Sequence, residues 1–443
     1  MATYLYRTQG TPTSTQKFTF SCWIKNSAYT GNLQGFLSFK NGWYDDSGLA
    51  LVLEATGVIN AHGNGANNNR TTRVFRDPGA WMHLVFAADT TQATQADRMK
   101  IYINGVQESY DTSNLPGQNV AWTGIANGER VQVGNGANSA YPFFGGMSHV
   151  HFCDGQQLAP TVFGSTDSTT GEWKINTAPS FTPGNNGFTI LKDGNTITDQ
   201  SANSNDFTLV GTLTKTEDCP SNVFATMNPL DNKWMNGSFS NGNTTVTTTS
   251  AEYGYNTGTL GASSGKFYWE MKLIQPVSST NYVAVGIAGR HPYDAEGLGY
   301  RADAAGYQGN DGKVRLNGTA STYGNSYTTN DIIGVAMDLD NSKLYFSKNG
   351  TWQNSGVPNS GSTGTGAISI TAVGSTEAGF YFPAVSDHAG SSWTNAIFSF
   401  NFGNGYFGTT AVSSAGTNAS GIGIFEYDVP TGYTALSTKG LNL

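Results

Sequence analysis

The stretch DIIGVAMDLDNSKLYFSKNGTW, Asp331 to Trp352, decides the fold class of this 443-residue chain. An apolar run is followed by the polar turn DNS (340–342), the Tyr-bearing segment KLYFSK and the turn Asn349-Gly350. Turn-forming residues between two apolar segments of high β-propensity predict a strand–turn–strand hairpin. The stretch therefore favours a β protein.

Acidic residues in the same stretch raise the alternative of a calcium loop. Asp338, Asp340 and Ser342 have the spacing of the first three ligands of a helix–loop–helix calcium site, which also requires Gly at position six and Glu at position twelve. Lys343 and Asn349 stand at those two places. The flanking segments read as strands rather than helices. We therefore interpret the acidic residues as turn formers.

The composition extends the β reading to the whole chain. Charged residues make up 12% and Gly accounts for 56 of 443 residues, while no segment has the sustained 3.6-residue period of a long helix. In FTFSCWIK (18–25), Phe18, Phe20, Cys22 and Ile24 alternate with polar residues, as on a strand with one buried face. WMHLVFAAD (81–89) is apolar on both faces, which suits a strand buried between two layers. In GKFYWEMKL (265–273), alternation predicts Trp269 facing inward and Tyr268, Glu270 and Lys272 outward.

These patterns predict an all-β chain with two jelly-roll sandwiches. The first is predicted at residues 1–158 and the second at 222–405. A Gly/Asn/Ser-rich connector with short strands, at 159–221, is expected to be ordered and to dock on a neighbour. A tail at 406–443 has aromatic residues that are expected to pack back on the fold: Phe425, Tyr427 and Tyr433.

Charge and cysteine content exclude several classes of function. The net charge is −8 and no run of Lys or Arg is present, so we expect no nucleic-acid partner and no binding to anionic membranes. Membrane insertion is not expected either, because no apolar run approaches about 18 residues. Three widely spaced cysteines indicate neither a disulfide framework nor a CxxC metal site. The N-terminal segment has no apolar signal-peptide region, so we expect synthesis without Sec-type export.

The sequence contains no complete catalytic pattern of a glycanase. Glu426 and Asp428 start an ExDxxE-like pattern of glycanases, but Thr431 stands where the second Glu belongs. Glu270 is alone on its strand. We therefore predict a non-enzymatic protein. His149 and His151 share a strand face and are interpreted as a surface or interface pair rather than a metal site, because no third ligand is evident. His83 is interpreted as a core or interface histidine.

Exposed aromatic residues on loops are the candidate binding residues, because their rings stack on sugars or fill protein pockets. The candidates are Trp43, Tyr44, Tyr300, Tyr307 and Trp393. Asp45, Asp46 and Asp89 lie in turns near strand ends and are weak candidates for calcium, since Asp in a turn more often accepts a local hydrogen bond. We expect no other cofactor.

Several motifs in sequence order resemble known families. GKFYWEMKL, VAVGIAG (283–289), the hairpin stretch, FYFPAVS (380–386) and FNFG (400–403) resemble a SPRY domain over about residues 222–403. FTFSCWIK, WMHLVFAAD, DRMKIYINGVQ (97–107) and FFGGMSHVHFCDGQQL (143–158) resemble a laminin-G-like, concanavalin A-type sandwich over residues 15–158. The SPRY resemblance implies loops that bind proteins or peptides without catalysis. The laminin-G resemblance implies glycan binding, in some cases through calcium.

The junction between the two sandwiches is similar to connectors in virion proteins of tailed phages. The similar segments are residues 154–175 and 199–233, and the terminal PTGYTALSTKGLNL (430–443) fits the same group. The resemblance implies a bacteriophage structural protein, a tail fibre, spike or capsid decoration, on the virion surface after assembly in the host cytoplasm. Its expected partners are host-surface glycans or receptors, other virion subunits and further copies of itself. The alternative is a glycan-cleaving depolymerase of concanavalin A-like fold.

Overall fold

The computed structural model describes residues 2–27, 31–40, 48–65, 67–136, 140–192, 197–249, 253–276, 282–388 and 395–442. The chain divides into two compact units, Met1–Lys215 (unit 1) and Thr216–Leu443 (unit 2). Regular structure in the described residues consists of β-strands and short 3-10 helices, which confirms the predicted all-β class. No helix in these ranges is long and apolar enough to cross a membrane.

Unit 1 contains sixteen strands among its described residues. They are β1 Tyr4–Thr8, β2 Lys17–Asn26, β3 Gln34–Phe39, β4 Leu49–Leu53, β5 Val58–Gly63, β6 Asn67–Val74, β7 Met82–Asp89, β8 Met99–Ile103, β9 Val106–Gln107, β10 Tyr110–Asn114, β11 Arg130–Val133, β12 Gly145–Asp154, β13 Gly164–Thr166, β14 Trp173–Ile175, β15 Phe188–Ile190 and β16 Thr208–Val210. In the described part of the unit, 3-10 helices lie at Gln95–Asp97 and Pro160–Val162.

Two antiparallel sheets form the sandwich of unit 1. Sheet A has the order β10-β6-β5-β4-β3-β11-β1-β16, and sheet B has the order β15-β12-β2-β7-β8-β9. Strands β15 and β16 lie in the segment that was predicted as a connector, and they pair with β12 and β1 respectively. That segment, up to Lys215, is therefore a part of the first sandwich.

The alternating pattern of β2 places its apolar residues in the core of unit 1, as predicted. Phe18, Phe20, Cys22 and Ile24 all belong to one buried cluster with residues of sheet A. Burial of Cys22 among apolar side chains raises the pKa of its thiol, so this cysteine packs as a small apolar residue.

The former connector also covers the outer face of sheet B. Val85 and Ala87 of β7 pack there against Phe163, with Phe181 beside it. The β7 strand is thus buried between two layers, as its doubly apolar sequence predicts. His83 is fully buried on this face: its ring accepts a hydrogen bond from Trp173 Nε1 at 3.0 Å and shares one with Ser21 Oγ at 2.8 Å.

His149 and His151 were predicted to form a surface or interface pair, and the surface placement is wrong. Both histidines are buried, and the ring of His151 stacks on Phe163 with a centroid distance of 5.6 Å. A register shift between Ser148 and His151 inserts one extra residue into β12, and His149 adopts a φ of 48° there. The cover formed by residues 159–181 was not visible in the local pattern of β12.

Unit 2 contains seventeen strands among its described residues. They are β17 Ser238–Ser240, β18 Thr245–Thr247, β19 Tyr253–Thr257, β20 Lys266–Gln275, β21 Val283–Ala288, β22 Ala304–Gln308, β23 Lys313–Leu316, β24 Thr319–Thr322, β25 Ile332–Asp338, β26 Lys343–Lys348, β27 Thr351–Trp352, β28 Ile368–Ser369, β29 Phe382–His388, β30 Ile397–Asn401, β31 Tyr406–Phe407, β32 Thr410–Ala411 and β33 Thr434–Ala435. Four 3-10 helices lie at Gln353–Ser355, Pro358–Thr363, Val373–Ser375 and Gly440–Asn442.

Two sheets again enclose one core. Sheet C has the order β17-β18-β30-β20-β25-β26-β27, with β28 beside β26 and β33 beside β20, and sheet D has the order β19-β29-β21-β22-β23-β24. The stretch Asp331–Trp352 forms the predicted hairpin of β25 and β26. Its turn is closed by Asn341, whose backbone N–H donates to Asp338 Oδ1 at 3.0 Å. Asn349 and Gly350 have φ values of 48° and 80°, as a tight two-residue turn requires.

The prediction that Tyr268 and Glu270 of β20 face outward to solvent is wrong. Both are fully buried because the chain's own C-terminal strap, residues 422–436, covers that side of the strand. The ring of Phe425 lies 5.1 Å from that of Tyr268, and β33 pairs in parallel with β20. The tail therefore packs back on the fold, as its aromatic residues predict, and completes the core of unit 2.

Candidate functional site

The predicted aromatic anchors have different surroundings in the structure. Tyr300 is half-buried, and the guanidinium of Arg315 lies 4.0 Å from its ring centroid. Tyr307 is fully buried and its hydroxyl donates to the carbonyl of Asn325, so the prediction of a loop anchor there is wrong. Tyr307 lies within β22, where it packs on the rings of sheet C. Trp43, Tyr44 and Trp393 lie outside the described residues.

The carboxylate of Asp89, a candidate calcium ligand, is engaged by neighbouring groups of the protein. Its carboxylate lies 3.2 Å from Lys17 Nζ and accepts hydrogen bonds from the backbone and hydroxyl of Thr91. Burial raises the pKa of Asp89, but the bonds from Thr91 and Lys17 outweigh it and leave that pKa below its usual value. Asp45 and Asp46 lie outside the described residues. Among the residues described, no group of three or more His, Cys, Asp or Glu is arranged to hold a metal.

Glu270 is a buried carboxyl group of unit 2 whose two oxygens both accept hydrogen bonds within the fold. Burial raises its pKa to about 7. Its Oε1 accepts hydrogen bonds from Tyr427 N at 2.8 Å and Tyr268 Oη at 3.1 Å, and its Oε2 accepts from Glu426 N at 2.9 Å and Asn401 Nδ2 at 3.1 Å. Both oxygens are thus used inside the fold. The arrangement anchors the C-terminal strap and leaves no access for a substrate.

A cluster of exposed rings lies at one end of the unit 2 sandwich. We call it the aromatic rim and define it as Arg290, His291, Tyr293, Phe380 and Phe382. Tyr293 is 53% exposed and Phe380 is 45% exposed. Most large apolar side chains of this unit are buried, so two exposed rings in neighbouring loops mark a candidate contact surface.

Strand pairing brings the two loops of the rim together. Ala288 at the end of β21 pairs with Phe382 at the start of β29. The loop after β21 and the loop before β29 therefore lie at the same end of sheet D. The carbonyl of Gly289 accepts a hydrogen bond from Ala378 N at 2.9 Å, which joins the loops directly. Both loops are therefore held by the sheet and by each other.

Ion pairs and ring contacts fix the side chains of the rim. Arg290 Nη2 lies 3.1 Å from Glu377 Oε2, and its guanidinium carbon lies 5.3 Å from the Tyr293 ring centroid. His291 Nδ1 lies 3.1 Å from Asp231 Oδ2, while its ring centroid lies 5.0 Å from that of Phe382. The ring of Phe380 is 6.5 Å from that of Phe382. Such pre-ordered aromatic and Arg side chains are the usual anchors of protein interfaces.

Comparison with known families agrees with the two sandwiches. Residues 2–163 match the family model "Concanavalin A-like lectin/glucanases superfamily", and residues 266–404 match the model "SPRY domain". Unit 1 contains a laminin-G-like sandwich and unit 2 contains a SPRY sandwich. The SPRY match ends at residue 404, so the strap of residues 422–436 lies beyond it.

Curated relatives were found over a short part of the chain. Ran-binding protein 9 of Danio rerio is 31% identical over 90 residues, which cover 20% of this chain and 15% of the relative. Ran-binding protein 9 of Homo sapiens is 30% identical over 90 residues, covering 20% and 12% respectively. The Drosophila melanogaster homolog of Ran-binding proteins 9/10 is 29% identical over the same length. The chain thus spans a small fraction of these relatives.

Solved structures with similar regions include the SPRY domain of human HERC1. It is 18% identical, with a TM-score of 0.29, and the match covers 39% of this chain and 96% of that one. A heptameric SAP-like pentraxin from Limulus polyphemus is 19% identical, with a TM-score of 0.27, covering 36% of this chain and 72% of that one.

The predicted bacteriophage virion function is wrong. The curated relatives named above are animal Ran-binding proteins rather than tail fibre, spike or capsid decoration proteins. The similarity of the junction to phage connectors was therefore misleading. Adhesion of a virion to host glycans falls with that reading, and the depolymerase alternative, which came from the concanavalin A-like fold, gains no support from these relatives.

Sequence reasoning selected none of the five residues of the rim. It selected Tyr300 and Tyr307 from the loop–strand region after β21 but passed over RHPY (290–293) in the same loop. It used FYFPAVS only as a part of the SPRY resemblance, although Phe380 precedes β29 and is exposed. The available signal was Arg-His-Pro-Tyr directly after an apolar strand, where Pro ends strand pairing and leaves the next ring on a loop.

Proposed function

We propose that this chain is a non-enzymatic protein-binding module whose aromatic rim binds a short segment of a protein partner. The observation that carries the proposal is the pair of exposed rings, Tyr293 and Phe380, held on adjoining loops of a SPRY sandwich. The SPRY match and the names of the relatives, which record binding to a protein, support a protein as the partner. The short coverage of those relatives leaves the identity of the partner open to experiment.

Rim chemistry indicates what the partner segment presents. The exposed rings offer apolar surface and favour an aliphatic or aromatic side chain, whose burial contributes roughly 25 cal/mol per Å². The guanidinium of Arg290 is paired with Glu377 and Asp303, and His291 Nδ1 lies beside Asp231, so these polar groups of the rim are engaged within the unit. A segment with one large apolar residue and uncharged neighbours fits this surface better than a highly charged segment.

The proposal is tested by selecting peptides against the intact chain and measuring their affinity for rim variants. Tyr293→Ala and Phe380→Ala are each expected to weaken binding at least tenfold, because central aromatic anchors carry most of an interface's free energy. Val357→Ala is the matched control, since Val357 is a 47% exposed apolar residue of unit 2 outside the rim. Selected peptides that bind both rim variants as tightly as the wild type would contradict the proposal.

A further inference from the structure

We propose that the outer face of sheet A in unit 1 binds a carboxylate through the guanidinium of Arg130 and a neighbouring hydroxyl group. Successive side chains of a strand point to opposite faces of its sheet. Val131 of β11 and Leu5 of β1 belong to the core cluster between the sheets. Arg130, Tyr4 and Tyr6, which precede or follow them, therefore share the outer face, in agreement with the contacts of both rings with the guanidinium.

The guanidinium of Arg130 is held by aromatic rings, but its N–H groups have no acceptor. Its central carbon lies 3.8 Å from the ring centroid of Tyr6 and 5.9 Å from that of Tyr4. Within the described residues its N–H groups donate no hydrogen bond, although its Nε is buried. Arg98 of the same unit, in contrast, donates to three backbone carbonyls. A buried donor without an acceptor is costly, so Arg130 is arranged for a group from outside the chain.

The positive charge of Arg130 is not neutralised by a carboxylate of the fold. In the part of the chain that the structure describes, no carboxylate forms an ion pair with it, and this includes Glu129, its neighbour in sequence. A second basic residue, Lys40, lies beside it across the strands, where its backbone N–H donates to the carbonyl of Arg130 at 2.8 Å. Arg70 of the same sheet differs, because its guanidinium lies 3.0 Å and 2.8 Å from two carboxylate oxygens. The charge at Arg130 therefore favours an anion, although the chain has a net charge of −8.

Ser38 is an independent indication of a ligand on the same face. Leu37 and Phe39 belong to the core cluster, so the side chain of Ser38 between them points outward. Ser38 pairs with Gln132 in the register of β3 and β11, which places it diagonally opposite Arg130 on the next strand. The residue is 1% exposed, and its Oγ has no hydrogen-bond partner. A buried hydroxyl in this position is explained by a ligand oxygen that accepts its proton in a hydrogen bond.

A carboxylate is the anion that this pair of groups fits best. The planar guanidinium presents parallel N–H donors that match the two oxygens of a carboxylate, and its charge is equal and opposite. A free organic acid and an acidic side chain of a peptide both supply this group, and the test separates the two sources. The site lies in unit 1 and the aromatic rim in unit 2, so failure of either proposal leaves the other unaffected.

The test titrates the full chain with 4-fluorobenzoate and with its neutral analogue 4-fluorobenzamide, and fluorine NMR measures binding. The benzoate is expected to bind at least about fivefold more tightly than the benzamide, because only the benzoate makes charge-assisted hydrogen bonds. Arg130→Gln should weaken the benzoate by about fivefold or more, and Ser38→Ala by about twofold or more. Arg130→Lys keeps the charge and loses the parallel donors, so its affinity should lie between those of the wild type and Arg130→Gln.

Arg70→Gln is the matched control, because it removes the same charge from the same sheet at a position that is already paired with carboxylates. It should leave the affinity for the benzoate unchanged. If Arg130→Gln lowers the melting temperature, Arg130→Lys and Ser38→Ala decide the test. Absence of benzoate binding, equal affinity for the benzamide, or equal losses in Arg130→Gln and Arg70→Gln would overturn the site. Wild-type affinity in Ser38→Ala would overturn the role of its hydroxyl.

A second arm identifies the source of the carboxylate. It compares fluorescein-labelled penta-glutamate and penta-glutamine peptides by fluorescence anisotropy. Tighter binding of penta-glutamate than of the benzoate, lost in Arg130→Gln, assigns the site to an acidic peptide. Tighter binding of the benzoate assigns it to a free organic acid. Equal binding of the two peptides, unaffected by Arg130→Gln, would overturn the assignment to a peptide.

Discussion

At the scale of the residue, Glu270 has the opposite role from the one its strand pattern indicates. Alternation along β20 predicts an exposed carboxylate, but four donors surround it and two of them are backbone N–H groups of the strap. A buried carboxylate is stable in such a place only when its oxygens accept hydrogen bonds. The covering segment lies more than 150 residues further along the chain, so no window around β20 contains the information.

At pH 8, where Glu270 is ionised, its replacement by Gln is expected to destabilise unit 2 by about 1–3 kcal/mol. The reason is that the N–H groups of the new amide would face the N–H and O–H groups whose hydrogen bonds the carboxylate accepts. The free energy of unfolding from urea titration measures the effect. Glu377→Gln is the control: its side chain is 60% exposed and pairs with Arg290 at the surface, so a change below about 0.5 kcal/mol is expected. Equal stability of Glu270→Gln and wild type would show that these four hydrogen bonds do not hold the strap.

At the scale of the element, sequence patterns predict the long strands well but miss the short hairpin of β13 and β14. Apolar runs and turn residues predict the long strands β2, β7, β20, β25 and β26, because each has a core face or a strong turn signal of its own. The residues around β13 and β14 are rich in Pro, Gly and Ser and read as a connector. Their order comes from Trp173, whose indole packs against Gly105 and Gly164 and bonds His83.

Trp173→Ala is expected to release this hairpin from sheet B. The substitution removes the ring above Gly105 and the hydrogen bond to His83, and it should cost about 2–4 kcal/mol by the scale of large-to-small changes. Limited proteolysis should then cut within residues 164–175 faster than in the wild type. Trp173→Phe keeps an aromatic ring in place but loses the hydrogen bond to His83. Its rate of cleavage should therefore lie between those of the wild type and Trp173→Ala. Identical cleavage of the alanine variant and wild type would contradict this account.

At the scale of the whole molecule, the two units bury ionisable groups of opposite kind. Burial lowers the pKa of His83 and His151 in unit 1 to about 3. Burial raises the pKa of Glu270 and Asp387 in unit 2 to about 7. The sequence indicates none of these shifts, and those of His83, His151 and Glu270 depend on segments distant in the chain. The two pairs of groups therefore contribute to the stabilities of the two units with opposite pH dependence, and in unit 1 the raised pKa of Glu108 acts against the histidines.

The sign of each pH dependence follows from the protonation state that the folded unit prefers. The histidines are neutral in folded unit 1, so their contribution is complete above pH 6.5 and is lost as the pH falls toward 3. The carboxyl groups are protonated in folded unit 2, so their contribution is complete below about pH 4 and is lost as the pH rises through 7. Asp89 and Asp331 have lowered pKa values, so their carboxyl groups stay ionised between pH 5 and pH 7.5.

Between pH 7.5 and pH 5, the melting temperature of unit 1 should therefore fall while that of unit 2 rises. Differential scanning calorimetry of the full chain measures both transitions, and hydrogen exchange assigns each one to residues 2–215 or 216–442. Asp387→Asn removes one of the two groups responsible in unit 2 and should reduce its rise without changing the fall of unit 1. If both transitions moved in the same direction, the buried histidines and carboxyl groups would not control the pH dependence of this protein.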